Sequence, residues 1–76
     1  MLTKQEVKQL TLEEKREYFK REVLPAYRDR QPGGKVYAQK LEESGLEEAE
    51  KYQQVAEDLR DWYANDCQVD ADGNPI

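Results

Sequence analysis

A chain of 76 residues, 38% charged and 37% hydrophobic with a mean hydropathy of -1.14, has room for one domain with a thin core. With no histidine and Cys67 as the single cysteine, an intrachain disulfide is excluded and a zinc site disfavoured, and no apolar run approaches the ~20 residues of a membrane span or resembles a signal peptide, which points to a cytoplasmic protein. The net charge of -5 is uneven: residues 1–31 carry eight basic against six acidic side chains, and residues 32–76 carry four against eleven.

Helix start signals recur along the chain. Thr3 and Glu6 have capping-box spacing, in which hydroxyl and carboxylate each satisfy the other residue's backbone donor, and a short helix is expected from Lys4 to about Leu10. Thr11 and Glu14 repeat the device and should open a longer helix at Leu12. On a wheel of about 100° per residue, Leu12, Phe19, Val23, Ala26 and Tyr27 share an arc of about 100°, the width of a core-facing stripe. Pro25 lacks an amide proton and clashes with the preceding turn, so it either ends this helix at about Leu24 or kinks it. Because Ala26 and Tyr27 stay in phase, the kink is favoured, with the helix continuing to about Arg30. Tyr18 and Leu24 lie well off the stripe and read as surface residues.

Gln31-Pro32-Gly33-Gly34 is a turn by composition. A third helix should run from about Lys35 to Ser44, with Val36, Tyr37 and Leu41 as apolar contacts and Gly45 as its C-terminal cap. Ser44 and Glu47 have the spacing of a third capping box, opening a last helix from Leu46 to about Asn65. No segment alternates as a β-strand does. The expectation is a small all-α bundle of three to four helices, residues 1–67, followed by a flexible polar tail, residues 68–76.

The last helix has two faces. Ala49, Tyr52, Val55, Ala56, Leu59, Trp62 and Tyr63 fall in one arc of about 140°, with Trp62 at its edge. Five carboxylates, Glu47, Glu50, Glu57, Asp58 and Asp61, fall on another arc of about 100° that contains no lysine or arginine. Acidic helix faces are commonly just solvated. A row of like charges at i, i+3 and i+4 nevertheless costs a few tenths of a kcal/mol per pair, and it can dock on a basic groove. The candidate partner-binding residues are therefore Glu47, Glu50, Glu57, Asp58 and Asp61, with Trp62, partly exposed at the edge of its arc, and Tyr18 as aromatic anchors.

Other motifs fall short of a chemistry. Asp70, Asp72 and Asn74 imitate the start of a calcium loop, but Pro75 stands where the turn needs glycine and no glutamate follows at position 12. Gly33-Gly34-Lys35 lacks the remainder of a phosphate loop. Lys15, Arg16, Lys20, Arg21, Arg28 and Arg30 are interleaved with Glu13, Glu14, Glu17 and Glu22, unlike the clustered positive charge of a nucleic-acid surface. Cys67 follows Asp66 near a helix C-terminus, where both disfavour a thiolate. The sequence thus reads as a non-enzymatic protein–protein interaction module without metal or cofactor: an adaptor, accessory subunit or regulator. The alternative is an acidic nucleic-acid mimic, such as a phage might encode, that blocks a basic site on a partner protein. Neither reading involves direct nucleic-acid or membrane binding. A homo-oligomer is a further option, since a second copy can complete a thin core.

Overall fold

Thr3 and Thr11 each open a helix as their spacing predicts. The Thr3 hydroxyl accepts from Glu6 N at 3.2 Å while the Glu6 carboxylate accepts from Thr3 N at 3.1 Å. Thr11 and Glu14 repeat the exchange at 3.2 and 2.9 Å. These boxes start α1 (Lys4–Lys8) and α2 (Leu12–Tyr18) in a computed structural model that describes residues 1–76. The amides of Gln9 and Leu10 bond back to Glu6 O and Val7 O, a tightening that ends α1 before the expected Leu10.

The chain stays helical past Pro25. Phe19–Val23 forms a π-helical turn and α3 (Leu24–Asp29) continues from it. Leu24 N bonds to Phe19 O, five residues back. This wider turn, just ahead of Pro25, accommodates a residue that can neither donate a hydrogen bond nor tolerate a close carbonyl one turn earlier. It also delays the following residues around the helix axis. Leu24, expected on the surface, therefore turns inward and is buried, whereas Leu12 of the expected stripe is exposed.

α4 (Lys35–Ser44) and α5 (Leu46–Cys67) pack against each other, with Gly45 alone between them at φ 90°. That φ suits glycine and no other common residue. The expected Ser44–Glu47 capping box does not form, because Ser44 is the last residue of α4 and Gly45 takes the cap position without a side-chain bond. Gly34 is required for a different reason: a Cβ there would lie 2.3 Å from Arg28 O. At about 1.5 Å per residue, α5 is roughly 33 Å long and runs along most of the molecule's 39 Å axis. The protein is all-α, 72% helical and without strands, and no helix is long and apolar enough to cross a membrane.

The core lies at one end of α5. Phe19, Val7, Val69 and Cys67 are fully buried there, joined by Tyr18, Val23, Leu24, Tyr63 and Ala64. α4 contributes no buried residue. The expected polar tail, residues 68–76, is folded onto this core. Gln68 takes a left-handed conformation at φ 56°, Val69 N bonds to Ala64 O at 3.0 Å, and Val69 packs inside. Asp70 N then bonds to Asn74 O at 2.8 Å and Ile76 N to Gln68 O at 3.2 Å, closing a turn that buries Gly73 against Phe19 and Leu24. The polarity of this segment suggests a flexible tail, but Val69, buried in the core, anchors it.

Candidate functional site

The charge asymmetry of the sequence is partly internal to the fold. Lys15 Nζ of α2 lies 3.2 Å from Asp66 Oδ2 of α5, with both side chains largely covered. The adjacent Arg16 donates from Nη2 to Gln68 O at 3.3 Å, at the end of α5 where unpaired carbonyls gather negative potential. Basic residues of the first half therefore hold the acidic C-terminal end of the long helix.

Tyr18 is not a surface anchor. It is 3% exposed, and its hydroxyl accepts from Leu2 N at 2.8 Å. The Tyr63 hydroxyl donates to Leu2 O at 2.9 Å, so the two tyrosines clasp the N-terminal segment over the core. The straight α-helical wheel placed Tyr18 outside the stripe because it carried no information about Leu2, which covers that side. Trp62 is half-buried, in keeping with its place at the edge of the arc. It meets Tyr63 edge-on at 5.1 Å, and Lys4 and Lys8 lie over its ring at 4.9 and 5.8 Å. These contacts occupy the surface that an incoming partner would need.

The acidic row keeps its place on the side of α5 turned from the core, with differences along its length. Glu47, Glu50, Asp58 and Asp61 are exposed and Glu57 is half-buried. Gln53 donates to Glu57 at 3.5 Å and Gln54 to Asp58 at 3.1 Å, which orients both carboxylates without neutralising them. Asp61 is the exception. Arg60, which the sequence places outside the arc, reaches it through Nε at 3.1 Å and Nη2 at 2.9 Å while lying over Tyr27 at 4.3 Å. No family model, curated protein or solved structure matches the chain.

Some apolar surface along α4 and α5 stays uncovered, including Val55, which the sequence assigned to the core. Val55 is 57% exposed, and with Glu48, Lys51 and the half-buried Tyr52 it lines an open groove. Leu41 and Leu46, on either side of Gly45, are 43% and 56% exposed. Val55 falls within the apolar arc of the wheel, but α4 packs on α5 without reaching it. The signal available in sequence was the smallness of Ala49 and Ala56, both buried, which marks where a neighbouring helix approaches α5 closely.

Other residues with chemical potential are occupied structurally. Burial, and then the charge of Asp66, push the Cys67 thiol above its ordinary range, so the nucleophilic thiolate is disfavoured. The Asp70 carboxylate accepts from Asp72 N and Asn74 N, both at 2.9 Å, and so pins the C-terminal turn. No three His, Cys, Asp or Glu side chains converge as a metal site would need. An apolar recess between α3 and α5, lined by Val23, Tyr27, Leu59 and Tyr63 among others, holds about 90 Å³.

Proposed function

We propose that this protein is a non-enzymatic protein–protein interaction module of the cytoplasm, and that it presents α5 to a partner with a basic surface. The observation that carries this reading is the acidic row. Glu47, Glu50 and Asp58 stand exposed with no lysine or arginine paired to them, although the same chain uses Lys15 and Arg16 to compensate negative charge at the end of α5 and Arg60 to neutralise Asp61 of the row itself. A row of one sign along a rigid helix steers encounter and sets orientation on a complementary surface.

The test is affinity capture from the native host with the wild-type protein and with Glu47, Glu50 and Asp58 changed together to lysine. The wild type is expected to retain a partner that the triple variant loses, and raised salt should weaken the capture steeply. A partner retained by the triple variant at high salt would overturn this reading.

A second reading places the module among nucleic-acid mimics. It is favoured by the extent of the row, whose carboxylates from Glu47 to Asp61 span about 21 Å of one helix edge at roughly 1.5 Å per residue. Under this reading the captured partner binds nucleic acid, and added nucleic acid displaces it from this protein. Capture unaffected by a competing oligonucleotide would exclude the mimic while leaving the interaction module standing.

A further inference from the structure

We propose that the C-terminal turn, residues 69–76, is a hinged lid that swings away from the helices about Gln68, uncovering Phe19, Leu24 and Cys67 while the helices stay folded.

The turn is bonded chiefly to itself. Asp70 N donates to Asn74 O at 2.8 Å and Gly73 N to Asp70 O at 3.0 Å, and the Asp70 carboxylate accepts from the amides of Asp72 and Asn74. Ile76 N returns to Gln68 O at the hinge. From residues 69–76 to the body of α5 there is one hydrogen bond, Val69 N to Ala64 O at 3.0 Å. Val69 is also the only side chain of the segment in the core, 2% exposed, whereas Ile76 at its end is 87% exposed. A segment tied to its neighbours by so little opens at a free energy well below that of global unfolding.

The closed position is strained at the hinge and leaves a donor unpaired beneath it. Gln68 stands in the left-handed region at φ 56°, which disfavours any residue with a Cβ. Arg16 gives Nη2 to Gln68 O at 3.3 Å, but its Nε is buried without a partner. Arg16 lines the groove between α2 and the turn together with Gly73 and Pro75, so lifting the turn admits water to that donor. Closure is favoured by the burial of Val69 and by the fit of Gly73. A Cβ there would stand 3.0 Å from Lys20 Cγ, 3.2 Å from Leu24 Cδ1 and 3.4 Å from Phe19 Cδ1. Cys67, the last residue of α5, is fully buried in the same cluster as Val69. Opening therefore replaces an exposed polar turn with a phenyl ring, a leucine and a thiol.

Gly73→Ala loosens the lid without removing any core side chain, because its methyl crowds Leu24 at a φ of 86° that suits glycine. Val69→Ala loosens it by shrinking the one buried anchor. The readouts on the full chain are amide exchange by NMR and alkylation of Cys67 by N-ethylmaleimide, followed by mass spectrometry. In the wild type the Val69 amide should exchange at least about tenfold faster than the Tyr63 amide of α5, and both Val69 exchange and Cys67 alkylation should respond weakly to low urea. Each variant should speed both processes by about tenfold while circular dichroism shows the helices retained. Equal exchange at Val69 and Tyr63, alkylation that rises with urea as steeply as global unfolding, rates unmoved by both variants, or loss of helicity in both would each overturn the lid.

Discussion

Tyr18 and Tyr63 grip opposite sides of the same residue. Their rings lie 6.2 Å apart and tilted at 57°, and their hydroxyls reach Leu2, one accepting from its amide and the other donating to its carbonyl. Leu2 in turn packs on the core cluster. Tyr63→Phe keeps the ring and removes one of these bonds, and it should cost about 1 kcal/mol, a fall in Tm of several degrees for a domain of this size. Tyr18→Phe should cost a similar amount. The double variant should lose less than the sum, because both bonds restrain one segment. Thermal melts of the three variants check this.

Stability should decline in alkali. Burial raises the Tyr18 and Tyr63 phenols above their ordinary 10.0, and burial followed by the Asp66 charge raises the Cys67 thiol above 9.0. The folded state then holds these protons longer than the unfolded state does. The stabilisation is complete below the unfolded values and is lost as pH climbs beyond them. Urea midpoints measured from pH 7 to 11 should stay level to about pH 9 and then fall, and Tyr63→Phe should make the fall shallower.

The acid limb has the opposite sign. Backbone hydrogen bonds from Thr3 and Thr11, reinforced by their hydroxyls, lower the Glu6 and Glu14 carboxyls below 4.5, and the amides of Asn74 and Asp72 lower Asp70 below 3.8. These groups stabilise the fold above their unfolded values, and the contribution fades as pH drops through the folded ones. Thr11→Ala removes the N-cap of α2 and should cost about 1 kcal/mol near neutrality. Its helicity should also fall less between pH 5 and 2 than that of the wild type, by circular dichroism.

Gln68 occupies a conformation better suited to glycine, at φ 56°. A non-glycine residue in the left-handed region is strained by roughly 1 kcal/mol, and the Gln68 side chain is exposed. Gln68→Gly keeps the carbonyl that accepts from Arg16 and Ile76. It should raise Tm by a few degrees, measured by calorimetry.

Lys15 and Asp66 form an interhelical ion pair with side chains only 16% and 20% exposed. Asp66→Asn leaves a largely covered ammonium without its counter-charge and should destabilise by about 1–2 kcal/mol, below the cost at a fully buried site. Lys15→Met with Asp66→Asn should recover part of that loss. A double-mutant cycle in urea separates the pair's coupling from the two single losses.

Local regularities of the sequence carried over into the fold, except at Ser44–Glu47, where the capping box does not form. The threonine–glutamate boxes opened α1 and α2, the glycines bounded α4, and the acidic arc lay on the solvent side of α5, because capping, glycine conformation and helical periodicity are properties of a few neighbouring residues. The interior was less legible. Tyr18 is buried because Leu2 closes over it, Leu24 because the turn before Pro25 widens, and Val69 because the helix end reverses at Gln68. Val55 is exposed because α4 lies elsewhere on α5. Each of these outcomes depends on segments distant in sequence or on a departure from α-helical geometry, and a regular wheel contains neither. The acidic row could therefore be read before folding, while the exposed apolar surface at Val55 exists only where packing left that flank uncovered.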